Sequence, residues 1–209
     1  ETGQLELVED KYYLADIIHD EKLLLDTRIG EKPIDIQIEV DKKIPSVLYG
    51  DEIRIKQVLS NLLSNAVKYT NQGKVTLKVT GEKQDDLAVL HFTVKDTGIG
   101  IREEDIDKLY DEFERFDIQR NKNVEGTGLG MNIAQQFLQL MGSELQIQST
   151  YEKGSEFSFS LKQKIVDETP IGDLRKKFKE VELAQDARVH FTAAKARVLV
   201  VDDYRMNLK

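Results

Sequence analysis

The order in which two kinds of hydrophobic period follow one another constrains this chain most. Runs that alternate apolar and polar residues mark half-buried strands. Ile34-Asp35-Ile36-Gln37-Ile38-Glu39-Val40 is the cleanest, and 74–80, 87–95, 144–149 and 156–161 follow it. Leu5-Glu6-Leu7-Val8 is a further, shorter strand candidate. Helical spacing recurs in three places. Leu14, Ile17, Ile18, Leu24 and Leu25 predict a helix from Tyr12 to about Thr27, and Ile55, Leu59, Leu62 and Ala66 predict a long one that Asp51 can cap. Ile133, Phe137 and Leu140 mark the inward face of a third, from Gly128 to Met141, stopping at Gly142. Residues 81–86 read as a turn between two strands, and 152–155 as the turn of a final hairpin. Such an irregular order does not build a doubly wound parallel sheet. It predicts an α+β fold, a two-layer sandwich with helices on one face of a mixed sheet.

Composition narrows the function. The chain has 209 residues, 40% of them hydrophobic, which suits one domain of roughly 150 residues with appendages, or two small ones. Its net charge of −8 disfavours sequence-independent contact with nucleic acid or an anionic membrane surface. With no cysteine there is no disulfide, thiol nucleophile or cysteine-held metal, which accords with a reducing cytoplasm. No apolar run approaches the roughly 18 residues of a membrane span, and no secretory signal opens the chain. Both ends, Glu1-Thr2-Gly3 and Asn207-Leu208-Lys209, read as cuts in a longer protein.

Four local patterns carry chemistry. On a helix, Asn61, Asn65 and Lys68 stand at i, i+4 and i+7, so one narrow face presents two amides and an ammonium. An amide oxygen is a neutral, hard ligand suited to Mg²⁺, and a lysine beside it can meet phosphate oxygens; alone, the stripe is equally a solvated polar face. Asp96-Thr97-Gly98-Ile99-Gly100 closes a strand, where a carboxylate can accept from an exocyclic amine and glycines admit a flat ring; alone it is an ordinary turn. Gly126-Thr127-Gly128-Leu129-Gly130 opens a helix, whose amides suit phosphate, although a lone glycine triplet is weak. Gly154-Ser155-Glu156-Phe157 is a tight turn into the last strand.

Together, in this order, the patterns resemble the catalytic ATP-binding domain of bacterial, often hybrid, sensor histidine kinases, in the GHKL superfamily with its Bergerat-type sandwich. Residues 61–70 look like the N box, 96–100 the G1 box, Phe113-Glu114-Arg115-Phe116 the F box, 126–130 the G2 box, and Gly154-Ser155 the last glycine motif. The resemblance covers about residues 1–162. Arg115 stands where proline is common and Asn132 where a small residue is common. The resemblance implies that Asn65 holds the Mg²⁺ bridging the phosphates, with Asn61 supporting it. Lys68 contacts phosphate, making Asn65 and Lys68 the catalytic pair, and Tyr69 packs near the nucleotide. Asp96 reads the adenine amine, selecting ATP over GTP. Gly98, Gly100 and Ile101, then Gly126, Thr127, Gly128, Leu129 and Gly130, and Ser155, line the ATP site. The resemblance also implies that residues 117–127 form the lid, with Arg120 and Lys122 as the candidate contacts to phosphate.

The family phosphorylates itself on a histidine in a His-Glu-x-Arg-Thr-Pro context, which His19, His91 and His190 all lack. The expected partner is therefore a histidine-containing dimerisation and phosphoacceptor domain upstream of Glu1. Residues 163–196 read as a linker. Arg197-Val198-Leu199-Val200-Val201-Asp202-Asp203 resembles the first strand of a receiver domain, truncated at 209. The expected function is Mg·ATP binding and donation of the γ-phosphoryl group to that histidine, in the cytoplasm, without nucleic-acid or direct membrane contact. Two alternatives are an ATP-sensing module that has lost transfer and a hydrolytic GHKL ATPase. In the latter, a water-activating glutamate stands four residues before the magnesium-binding asparagine, where this chain has Asn61.

Overall fold

A computed structural model of the chain describes residues 6–106, 109, 130–174, 176 and 178. The chain divides into a compact unit over Glu1–Leu174 and a second over Arg175–Lys209. In the first, seven strands form one mixed sheet. β1 (Asp10–Tyr13), β3 (Pro45–Gly50), β7 (Gly154–Pro170), β5 (Leu87–Asp96), β4 (Gly73–Gln84) and β2 (Ile34–Val40) lie side by side in that order, and β6 (Gln146–Thr150) also pairs with β7. β2 and β4 run parallel; the other pairs are antiparallel.

β7 is the axis of the sheet. β5 pairs with it from Glu156 to Lys164, β6 pairs with its first residues, and β3 with its last. Phe157, Phe159, Leu161 and Gln163 alternate inward, and Phe159 stacks on Phe92 of β5 with ring centroids 4.8 Å apart. The strand continues through 163–170, which the sequence placed in a linker. There it pairs with β3 on one side, Ile165 N–H donates to Asp86 O at 2.9 Å on the other, and Ile171 N–H closes the end by donating to Ile44 O at 2.7 Å.

The helices are α1 (Leu14–Ile29), α2 (Glu52–Tyr69), the four-residue α3 (Glu103–Ile106) and α4 (Gly130–Leu140). α2 packs against α1, α4, β4 and β5, so Ile55, Val58, Leu59, Leu62, Leu63, Ala66 and Val67 are all buried. Asp51 caps it as expected: Oδ1 accepts from Arg54 N–H at 3.0 Å. Its other oxygen accepts from Val8 N–H at 2.9 Å, and residues 6–9 form no strand; the edge strand is β1 instead. Tyr12, expected to open the first helix, lies in β1 with its hydroxyl donating to Gln163 Oε1 at 3.1 Å. Burial and the Glu52 charge raise that phenol far above its ordinary range.

Two further expectations are corrected. On α4, Phe137 is buried, but Ile133 and Leu140 are 36% and 41% exposed, and Met131, Ala134 and Leu138 face inward instead. The Arg54 guanidinium stacks 4.7 Å from the Phe137 ring, tying that rotation of α4 to α2. Residues 81–84 belong to β4, and the hairpin closes over Asp85 and Asp86, with Asp85 at φ 55. Among the described residues no helix is long and apolar enough to cross a membrane.

Candidate functional site

α2 carries Asn61, Asn65, Lys68 and Tyr69, all half-buried. Lys68 Nζ sits 5.0 Å from the Tyr69 ring centroid. Gly130 opens α4 beside this face: a Cβ there would lie 3.1 Å from Asn61 Oδ1. The amide-and-ammonium stripe predicted from spacing therefore lies on α2 and meets the start of α4 at Asn61.

Asp96 ends β5 and is only 5% exposed. Gly98 N–H donates to its Oδ1 at 2.8 Å, and Ser155 N–H donates to the same carboxylate. Burial pushes the Asp96 carboxyl above its ordinary value, and these two N–H bonds oppose the shift. Gly98 is required by closeness, since a Cβ there would collide with the Tyr69 carbonyl. Ile99 N–H donates to that carbonyl at 3.2 Å, so the loop after Asp96 is seated on the end of α2.

The same loop is fastened to the β6–β7 hairpin. Gly100 has φ 65, and its Cα faces the Thr150 carbonyl too closely for any side chain. Glu152 N–H donates to Ile99 O at 2.7 Å, and Ile101 N–H to Ser149 Oγ at 2.8 Å. Ser149 Oγ in turn bonds Gly154 O and lies 3.0 Å from Ser155 Oγ. The Arg102 guanidinium covers the Tyr151 ring at 4.5 Å.

Two of these contributors escaped the sequence. Ser149 had no signal, because its role depends on a loop 48 residues away. Lys32 had none either: its ammonium donates to Val67 O, Lys68 O and Thr70 O at 2.8, 3.2 and 3.1 Å, capping the C-terminus of α2. Burial lowers the Lys32 amine below its ordinary value. Of the expected site residues, Asn61, Asn65, Lys68, Tyr69 and Gly130 share one cluster, and Asp96, Gly98, Gly100, Ile101 and Ser155 the other, joined through the Tyr69 carbonyl. Arg120, Gly126, Thr127, Gly128 and Leu129 lie outside the described residues, as do 113–116, the 117–127 segment and the 197–209 stretch. His91 Nδ1 is 2.7 Å from Ser160 Oγ on the sheet.

Residues 50–165 match the family described as histidine kinase-, DNA gyrase B- and HSP90-like ATPase, and the chain belongs to that family. Within it, the similarity runs to sensor histidine kinases. Hybrid signal transduction histidine kinase B of Dictyostelium discoideum is 33% identical over 77% of this chain and 8% of its own length. Sensory/regulatory protein RpfC of Xanthomonas campestris pv. campestris is 31% identical over 99% of this chain and 31% of its own length. The chain thus spans well under half of either relative. The crystal structure of full-length ShkA in complex with AMPPNP superposes with a TM-score of 0.67 at 27% identity, covering 78% of this chain and 33% of that one. The mixed sheet under its helices is the GHKL sandwich of histidine kinase catalytic domains.

Proposed function

We propose that this chain is the catalytic domain of a hybrid sensor histidine kinase, which binds Mg·ATP and passes its γ-phosphoryl group to a histidine on another domain. The observation that carries the reading is Asp96: a carboxylate 5% exposed, fixed by the Gly98 and Ser155 amides, next to the end of the helix bearing Asn65 and Lys68. Asp96 accepts from the adenine 6-amine; guanine offers a carbonyl there and would meet a carboxylate with repulsion. Lys68 places a positive charge against the phosphates. Asn65 supplies one neutral amide oxygen, which fits Mg²⁺ that takes its other ligands from phosphate and water. Bound there, Mg²⁺ would neutralise charge on the transferring group.

Transfer breaks the bond between the γ-phosphorus and the bridging oxygen, releases ADP and forms a phosphorus–nitrogen bond to imidazole. The imidazole nitrogen is already nucleophilic, so the domain needs to position and neutralise rather than to deprotonate. Asn61 suits this task. An amide at that place holds water or a phosphate oxygen but accepts no proton at neutral pH, which disfavours the hydrolytic alternative. The acceptor domain upstream, a receiver domain from 197 onward and a cytoplasmic location complete the reading. The alignment with RpfC over 99% of the chain supports the extension past 174.

Calorimetric titration with Mg·ATP tests the pocket. Asp96→Asn and Asn65→Ala are each expected to weaken binding about tenfold or more, the worth of one charge-assisted contact. Unchanged binding in both variants refutes it. Phosphorylation in trans of a histidine acceptor domain tests the transfer.

A further inference from the structure

β1 ends the sheet, and among the described residues it pairs only with β3. Its far side therefore presents strand backbone with no strand beside it. Lys11 N–H donates to a side chain there, Asp10 Oδ1 at 2.7 Å, so it points away from β3; Tyr13 N–H, two residues on, points the same way. Tyr12 is buried in the core, which puts Lys11 and Tyr13 on the open face of the sheet, where Tyr49 stands opposite Lys11. Tyr13 and Tyr49 are 52% and 41% exposed. Val8, Ile53 and Val166 are exposed as well, just before β1, just after β3 and on the stretch of β7 beside β3. Among the described residues, most of the large apolar side chains left in water thus gather around one strand edge.

Charge narrows what can cover it. β2, at the opposite end of the sheet, carries Asp35 and Glu39, and antiparallel self-pairing centred on Gln37 would set these carboxylates against one another. β1 has no such conflict. Antiparallel pairing of two copies centred on Tyr12 sets Lys11 of each opposite Tyr13 of the other, and the two residues exchange their N–H···O bonds. The Lys11 ammonium then lies between Tyr49 of its own copy and Tyr13 of the second, with a ring to attract it on both sides. Centred on Lys11 instead, the pairing would bring two ammonium groups together, so charge selects the first register.

We propose that β1 is a docking edge for a second copy of this chain, paired antiparallel around Tyr12 so that two sheets become one. α1 begins at Leu14, so only residues 11–13 pair, and the association is weak on its own. It gains weight where two copies are held together, since a tether supplies about millimolar effective concentration. Both nucleotide pockets stay open. Ser155, beside Asp96, lies roughly 30 Å along β7 from Lys164, the residue paired with Tyr49, at about 3.3 Å per residue. The pairing does not depend on how the Asp96 pocket is read.

Sedimentation equilibrium on the chain without nucleotide tests it. A reversible dimer is expected, half formed at roughly 0.1–1 mM. Tyr13→Lys sets lysine against lysine twice in the pair, and is expected to weaken the dimer about tenfold or more with little change in melting temperature. Adding Lys11→Glu to that substitution turns each contact into an opposite-charge pair and is expected to restore most of the association. A variant that had merely disturbed the fold would not be rescued in this way. A chain that stays monomeric at about 1 mM overturns the proposal, as does a dimer whose strength ignores Tyr13→Lys. Failure of the double substitution to restore pairing overturns the register around Tyr12, and the proposal with it.

Discussion

Glu21 makes the stability of this domain fall as pH rises through the near-neutral range. The side chain lies on the inner face of α1 at 4% exposure, and among the described residues its Oε2 has no hydrogen-bond partner. Burial raises its carboxyl from an ordinary 4.5 to about 7; Arg28 and Lys56 oppose the rise and Asp20 adds to it. Lys56 is itself divided between Asp20 at 2.8 Å and Glu52 at 2.7 Å, which limits what it gives Glu21. The folded state therefore holds a proton that the unfolded state releases between pH 4.5 and about 7. Stability is greatest below that window, declines across it and is level above it. About 2.5 pH units at 1.36 kcal/mol each makes the charged form cost about 3 kcal/mol above pH 7. Glu21→Gln keeps the shape without the charge. By denaturant unfolding, the variant is expected to match the wild type near pH 4, below the unfolded-state value, and to exceed it by up to about 3 kcal/mol at pH 8. A difference that stays flat from pH 5 to 8 refutes the reasoning, because other titrating groups cancel in the comparison.

Ser149→Ala removes the hydroxyl that ties Ile101 N–H to the β6–β7 hairpin and should cost about 1–2 kcal/mol in denaturant unfolding. Lys32→Met strips an ammonium from three carbonyls at the end of α2, with an expected loss of about 1–3 kcal/mol and weaker ATP binding in calorimetry; unchanged stability and affinity would show the cap to be idle. With Asn61 in place of a general base, which is worth roughly 10²–10⁴ in rate, ATP hydrolysis without an acceptor should be barely detectable in a coupled assay. Turnover of about one per second, abolished by Asn65→Ala, would assign the chain to the hydrolytic branch.

Elements with one solvent face were legible in the sequence. β2 coincides with the alternation of 34–40, because Ile34, Ile36, Ile38 and Val40 are half-buried while Asp35 and Glu39 are exposed. β3 was missed because Pro45, Val47, Leu48 and Gly50 are all buried, which erases the period. β1 was missed for a different reason: Tyr12, Leu14, Ile17 and Ile18 fit one helical stripe, and only pairing with β3 pulls Asp10–Tyr13 into the sheet. The far half of β7 reads as polar linker since its stability comes from β3, more than a hundred residues earlier in the chain. The site follows the same rule. Its candidate chemistry-bearing residues stand in short local patterns that are visible in the sequence. Ser149 and Lys32 act through backbone atoms or a neighbouring loop, and no spacing announces that.

The end of α2 ties together the two segments that carry the groups proposed to meet the nucleotide, Lys68 on the helix and Asp96 at the end of β5. A helix leaves its last carbonyls unpaired. Here Ala66 O is taken by Thr70 N–H, Val67 O, Lys68 O and Thr70 O by Lys32 Nζ, and Tyr69 O by Ile99 N–H. The four successive carbonyls from 67 to 70 are thus bound by two other parts of the fold, one before β2 and one after β5. The first fixes the backbone that bears Lys68. The second fixes the loop that bears Gly98 and so orients Asp96 through its amide bond. The spacing between the Lys68 ammonium and the Asp96 carboxylate, the groups proposed to meet phosphate and base, is therefore supported by bonds among the described residues. Substitutions confined to 117–127 should alter the handling of phosphate and leave the preference for adenine over guanine as it was. A change in that preference would mean that the base pocket is assembled by the lid rather than presented to it.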